Sequence, residues 1–78
     1  MKILFFAQSA DWMNCRDLET KVDHPTSLLT LLKDSPRFAP ILKNQKHLKV
    51  AVNCEYSSFD TEVSDGDEVA FLPPVSGG

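Results

Sequence analysis

Seventy-eight residues, 42% of them hydrophobic and 24% charged, make one small globular domain, and a chain this short hides only somewhat more than ~60% of its unfolded surface. The formal net charge is −3 and the eight Lys and Arg are scattered, which excludes the clustered basic footprint of a nucleic-acid binder. The apolar run Ile3 to Ala7 is too short for a signal-peptide core or a membrane span, so the expectation is a cytoplasmic protein with neither a membrane nor a nucleic-acid partner.

Lys2 to Ala7 reads as a central strand, because consecutive apolar residues suit a strand contacted on both faces. Asp11 is placed to cap a short helical turn through Trp12 and Met13. Asp17 to Val22 alternates weakly, as a second and more exposed strand does. His24-Pro25 breaks it. Thr26 or Ser27 then supplies a helix N-cap, and Leu28, Leu29, Leu31 and Leu32 follow at helical spacing. That helix stops at Asp34-Ser35-Pro36, where Ser35 and Pro36 start a second, short one with Phe38, Ile41 and Leu42 on one side. Leu48 to Val52 alternates as a strand. Tyr56 to Val63 predicts a short strand and its connection, Asp65-Gly66-Asp67 a turn, and Glu68 to Leu72 the last strand, which Pro73-Pro74 ends.

Strand, strand, helix, short helix, strand, strand, strand predicts an α+β fold: a mixed sheet with one main helix packed across it. Two hairpins enclosing one helix is the plan of the β-grasp, or ubiquitin-like, fold. Residues 1–72 form the domain and 73–78 a C-terminal tail. Ile3, Phe5, Leu28, Leu31, Leu32, Val50, Val52, Val69 and Phe71 are expected in the core. Alternation puts Leu4, Phe6, Ala70 and Leu72 on the opposite face. No second helix of useful length is left to cover that face, so Phe6, Leu72 and Tyr56 are expected as an exposed patch for a partner. The alternative is that Phe38 to Leu42 folds over it. Cys15 and Cys54 lack CxxC spacing and read as reduced structural thiols, with a disulfide or metal site as the alternative. His24 and His47 have no partner at ligand spacing, so no metal is expected.

The chain ends "AFLPPVSGG". A terminal carboxylate has a pKa of about 3.3–3.7 and is ionised at neutral pH. In that form it is a poor electrophile and must first be activated, most simply as an acyl adenylate. No GxxxxGK[ST] motif is present to hold ATP. The activating machinery is therefore expected on another protein, with this chain as its substrate. Glycine suits such an end, because without a Cβ it passes through a narrow channel and leaves its carbonyl unshielded. From Leu72 six further residues reach at most ~20 Å when extended, and Pro73 and Pro74 stiffen the base of that arm. The alternative for Gly77-Gly78 is a frayed terminus with no role.

"DGDEVAFLPPVSGG", Asp65 to Gly78, closely resembles the C-terminal signature of the molybdopterin synthase small subunits, the MoaD/ThiS sulfur-carrier family. "KILFFAQ", Lys2 to Gln8, resembles that family's first strand, and "AVNCEYSSFDTEVSDGDEV" its AVN hairpin leading to the DGDE turn. The chain departs from the pattern at Cys15 and Arg16, where the family often has glycine. The resemblance implies a β-grasp fold and a carrier that is itself non-catalytic. An E1-like adenylating enzyme would join Gly78, next to Gly77, to AMP, consuming ATP. A sulfur donor such as a cysteine desulfurase or rhodanese system would convert the adenylate to a thiocarboxylate. No stably bound cofactor is expected. The tail would then enter the active site of the synthase large subunit, in a heterotetramer of two small and two large subunits. There it would give sulfur to cyclic pyranopterin monophosphate, forming the molybdopterin dithiolene. Phe6, Tyr56, Leu72, Pro73, Pro74, Val75 and Ser76 are the expected partner-binding residues. A thiamine-type sulfur carrier, a ubiquitin-like protein modifier and a plain β-grasp interaction module stay open beside this.

Overall fold

The structure is a computed structural model that describes residues 1–74. The roles expected of Val75, Ser76, Gly77 and Gly78 lie outside the described residues. In chain order the strands and α-helices are β1 (Lys2–Phe5), α1 (Gln8–Met13), β2 (Asp17–Glu19), β3 (Thr26–Ser27), α2 (Leu28–Lys33), α3 (Ala39–Lys43), β4 (Lys49–Val52), β5 (Glu55–Ser57), β6 (Glu62–Val63) and β7 (Glu68–Leu72). Short 3-10 turns, Pro36–Phe38 and Gln45–His47, flank α3.

Five strands form one mixed sheet in the order β2-β1-β7-β4-β5. The first and last strands meet at its centre, where β1 and β7 run parallel with Phe5 opposite Phe71. The neighbours on either side are antiparallel. This is the α+β, β-grasp arrangement that the element order predicts. A separate two-stranded ladder joins β3 to β6. The segment Tyr56 to Val63 is therefore not one strand with a connection. It splits between the two sheets, because Thr26 and Ser27 offer β6 a second place to pair.

Local chemistry explains the helices. Ser27 stays extended and its hydroxyl accepts the Thr30 N–H at 3.1 Å, capping α2. Ser35, ahead of Pro36, is held extended at φ −127 and ψ 117, and α2 cannot continue. In α1, Asp11 is not the cap that the sequence suggests. Ala7 holds that position at φ 52 and ψ −126 with no side-chain bond, and Asp11 sits within the first turn. Its negative charge still lies near the exposed N–H groups of the helix start.

One cluster forms the core. Ile3, Phe5, Val50, Val69 and Phe71 face Leu28 and Leu32 of α2, and Phe38, Ile41 and Val63 complete it. The rings of Phe5 and Phe59 stack on Phe71 with centroids 5.9 and 5.8 Å away. Truncating Phe5 or Phe71 to alanine removes about 3–5 kcal/mol, a large share of what a small domain has. Leu31 and Val52, expected in the interior, are only half-buried. Each stands at the margin of the cluster, Leu31 beside an open polar hollow and Val52 at the last position of β4. Phe38 and Ile41 pack on the α2 side, so the short helix does not cover the other face of the sheet.

Candidate functional site

One sheet face is left without a covering layer. Cα partners run straight across it through all five strands: Asp17, Leu4, Ala70, Ala51 and Tyr56. On one side of this row lies a charged row of alternating sign, Glu19, Lys2 and Glu68. On the other side Leu72 pairs with Lys49, and Phe6 follows the end of β1. Alternation along a strand puts these side chains together on the face opposite Phe5 and Phe71.

Size shapes the surface. Ala51 and Ala70 are cross-strand neighbours and fill little space, whereas Leu4, Phe6, Tyr56 and Leu72 stand around them. The result is an apolar hollow of about 310 Å³ whose polar end is formed by Cys54 and Glu68. Phe6 is 45% exposed and Tyr56 69%, the large hydrophobic residues most open to water among the described residues. Each would lose that exposed area on contact with a partner, which is what makes such a patch adhesive.

The sequence marks Phe6, Tyr56 and Leu72 as an exposed patch for a partner, and the fold brings all three to the rim of this hollow. Pro73 and Pro74 follow Leu72 directly and are exposed. The chain thus leaves the sheet at the edge of the apolar hollow. Ala51 was readable from the alternation of Leu48 to Val52, which sets it opposite Val50. Cys54 was not, because its place depends on a turn. The register leaves Asn53 and Cys54 as a two-residue connection with φ 51 and 71, the type I′ geometry that twists with a hairpin.

Hydrogen bonds lock that turn to β7. The Asn53 side chain donates to Asp67 Oδ1 at 3.0 Å and accepts the Glu68 N–H at 3.0 Å, while the Ser64 N–H donates to Asp67 Oδ2 at 2.7 Å. The Asn53 donor, and then the Ser64 N–H, hold the Asp67 carboxyl below its ordinary pKa. Asp65 is lowered as well, chiefly by the Val22 N–H at 2.9 Å and next by the N-terminal ammonium. The DGDE turn is therefore an anchoring device for the groove's polar end.

Other titratable groups stand apart. His24 lines a polar hollow between the β2–β3 connection and α2, and His47 is exposed at the end of a 3-10 turn. Cys15 and Cys54 are free thiols. Among the described residues no group of three or more His, Cys, Asp or Glu is placed to hold a metal ion, and no helix is long and apolar enough to cross a membrane.

A family model described as the ThiS family matches residues 3–78. The chain belongs to the ThiS family. Over its full length it is 42% identical to the molybdopterin synthase sulfur carrier subunit of Escherichia coli, covering 99% of that protein. The SAMP1 crystal structure from Haloferax volcanii superimposes with a TM-score of 0.76 at 28% identity, across 100% of this chain and 98% of that one. A chain in the complex of subunits 1 and 2 of molybdopterin-converting factor from Helicobacter pylori shares the fold, with a TM-score of 0.62 at 22% identity and coverage of 99% and 96%. As in those folds, the ThiS-family chain described here has a mixed sheet crossed by one main helix.

Proposed function

We propose that this chain is the sulfur-carrier subunit of a molybdopterin synthase. The observation that carries the proposal is the full-length likeness to a protein of that name, continuous through the Gly77-Gly78 end. The chemistry of the end is consistent with it. In the first step the Gly78 carboxylate attacks the α-phosphate of ATP on an E1-like partner, and pyrophosphate leaves. In the second a sulfur donor delivers a sulfide equivalent to the acyl carbon, AMP leaves, and a thiocarboxylate remains. The carrier then docks on the synthase large subunit through the hollow around Phe6, Tyr56 and Leu72. Its tail presents sulfur to cyclic pyranopterin monophosphate in an active site on that partner. A dithiolene contains two sulfurs, so two carrier turnovers serve each precursor, which suits a heterotetramer of two small and two large subunits.

The decisive experiment combines the full-length thiocarboxylate, the large subunit and the precursor, and follows product together with the intact mass of the carrier. Loss of the sulfur-for-oxygen mass increment in step with dithiolene formation is expected. A thiocarboxylate that stays intact beside unchanged precursor overturns the reading. The likeness to SAMP1, a small archaeal modifier protein, supports a second reading as a protein modifier. Under that reading, incubation with the activating enzyme and cell protein yields isopeptide conjugates of this chain instead of a free thiocarboxylate.

A further inference from the structure

The β1–β7 ladder ends in an unusual way. Lys2 N–H donates to Asp67 O at 3.0 Å at one end, and Phe6 N–H donates to Phe71 O at 3.2 Å at the other. With Phe5 opposite Phe71, the next rung of a parallel ladder is a bond from the N–H of residue 73 to the Phe6 carbonyl. Residue 73 is proline and has no N–H to give.

Ser9 fills the vacancy. Its hydroxyl donates to the Phe6 carbonyl at 2.8 Å, and its own N–H donates to the same oxygen at 3.1 Å. The hydroxyl oxygen accepts the Phe6 N–H at 2.9 Å and lies 3.2 Å from the Phe71 carbonyl oxygen. Ser9 is wholly shielded from water, and it is the one buried polar residue among those described. It reaches this place because Ala7 turns the chain sharply at φ 52 and ψ −126, a conformation that costs a residue with a Cβ.

We propose that Ser9 is a positioning residue for sulfur transfer: its hydroxyl replaces the ladder donor that Pro73 lacks and fixes where, and in which direction, the tail leaves the sheet. The inference rests on the sulfur-carrier reading of the tail. It separates two tasks of the molecule. Docking uses the apolar hollow, which Ser9 does not line. Aiming uses the junction of Phe6, Phe71 and Pro73, which Ser9 holds.

The test uses the full-length thiocarboxylate with the large subunit and the pterin precursor. Ser9→Ala is expected to bind the large subunit within about twofold of wild type but to transfer sulfur in single turnover about tenfold more slowly, since ångström-scale misplacement of a reacting group is costly. Ser9→Thr, which keeps the hydroxyl, is expected to recover most of the rate. Pro73→Ala restores an N–H at residue 73, so in that background Ser9→Ala is expected to cost less than about twofold, as coupled neighbours require. Thermal melts of the four proteins carry the same cycle without the partner, and the loss from Ser9→Ala is expected to shrink once Pro73→Ala is present. Equal transfer rates for wild type and Ser9→Ala overturn the assignment. So does a binding loss that accounts for the whole rate loss, or a melting loss of the same size in both backgrounds. A wild-type thiocarboxylate that transfers nothing overturns the carrier reading instead, and the melts then decide the part of Ser9 alone.

Discussion

Phe6 illustrates how one position serves two ends. Its backbone closes the β1–β7 ladder, while its ring stands 45% exposed over a hollow floored by two alanines. Replacing the ring by a charge leaves the ladder bonds intact and removes the apolar anchor. Phe6→Lys is expected to melt near wild type and to bind the large subunit about 2 kcal/mol or more weakly, as loss of an aromatic anchor does. Calorimetry against the large subunit checks this, and unchanged affinity for a folded variant removes the surface from the mechanism. Asp67 makes a different kind of prediction. Its pKa is lowered in the fold by Asn53 and by the Ser64 N–H, so the charged form is the stabilising one. That contribution is complete above the unfolded value of about 3.9 and fades as pH falls through the lower folded value. Asp67→Asn is thus expected to melt below wild type at neutral pH, with the gap narrowing under about pH 4. A gap that widens on acidification contradicts the assignment.

Among the elements, the β4–β5 hairpin, like the Ala7 entry to α1, is built against local preference. Asn53 tolerates φ 51 readily, but Cys54 adopts φ 71, where a Cβ crowds its own backbone. Glycine is the usual solution at this place in a type I′ turn. Cys54→Gly is expected to stabilise the domain by about 1 kcal/mol, which for a domain of this size raises Tm by roughly 4–8 °C. Scanning calorimetry checks it, and a lower Tm shows that the thiol makes a contact that outweighs the strain. The same hairpin carries Tyr56 onto the uncovered face, so its geometry matters to the groove as well as to the sheet.

At the scale of the whole molecule, stability and chemistry are kept apart. The core lies between one sheet face and the α2–α3 side, and its buried residues run from Met1 to Phe71. Deleting Gly78 is therefore expected to leave the melting curve unchanged while abolishing thiocarboxylate formation and sulfur transfer. Mass spectrometry after incubation with the activating enzyme and a sulfur donor reads the outcome, and full activity in the deletion variant defeats the carrier reading. The hollow lies on the sheet face beside the end of β7, where Pro73 and Pro74 follow Leu72. Under the proposed carrier function, a partner that covers the hollow would receive the residues that follow Pro74.

Short-range chemistry let the sequence determine a good deal by itself. Alternation in KILFF and EVAFL set Phe5 and Phe71 inward and Phe6 and Leu72 outward. Leucine spacing after Ser27 gave α2. Each signal depends on a residue and its near neighbours, so tertiary contacts had little left to decide. The rest needed the fold. Which strand lies beside β1 is a matter of pairing between distant segments, and nothing in either strand names its partner. Thr26 and Ser27 joined β6 because the fold brought them together, although the same residues also read as a helix cap. Phe38 and Ile41 had an apolar side in either reading, and only the packing of α3 on α2 decided that the groove stays open. Ser9 reads in sequence as an ordinary polar residue. Its role exists only because Pro73, distant along the chain, arrives beside Phe6 without a hydrogen to donate.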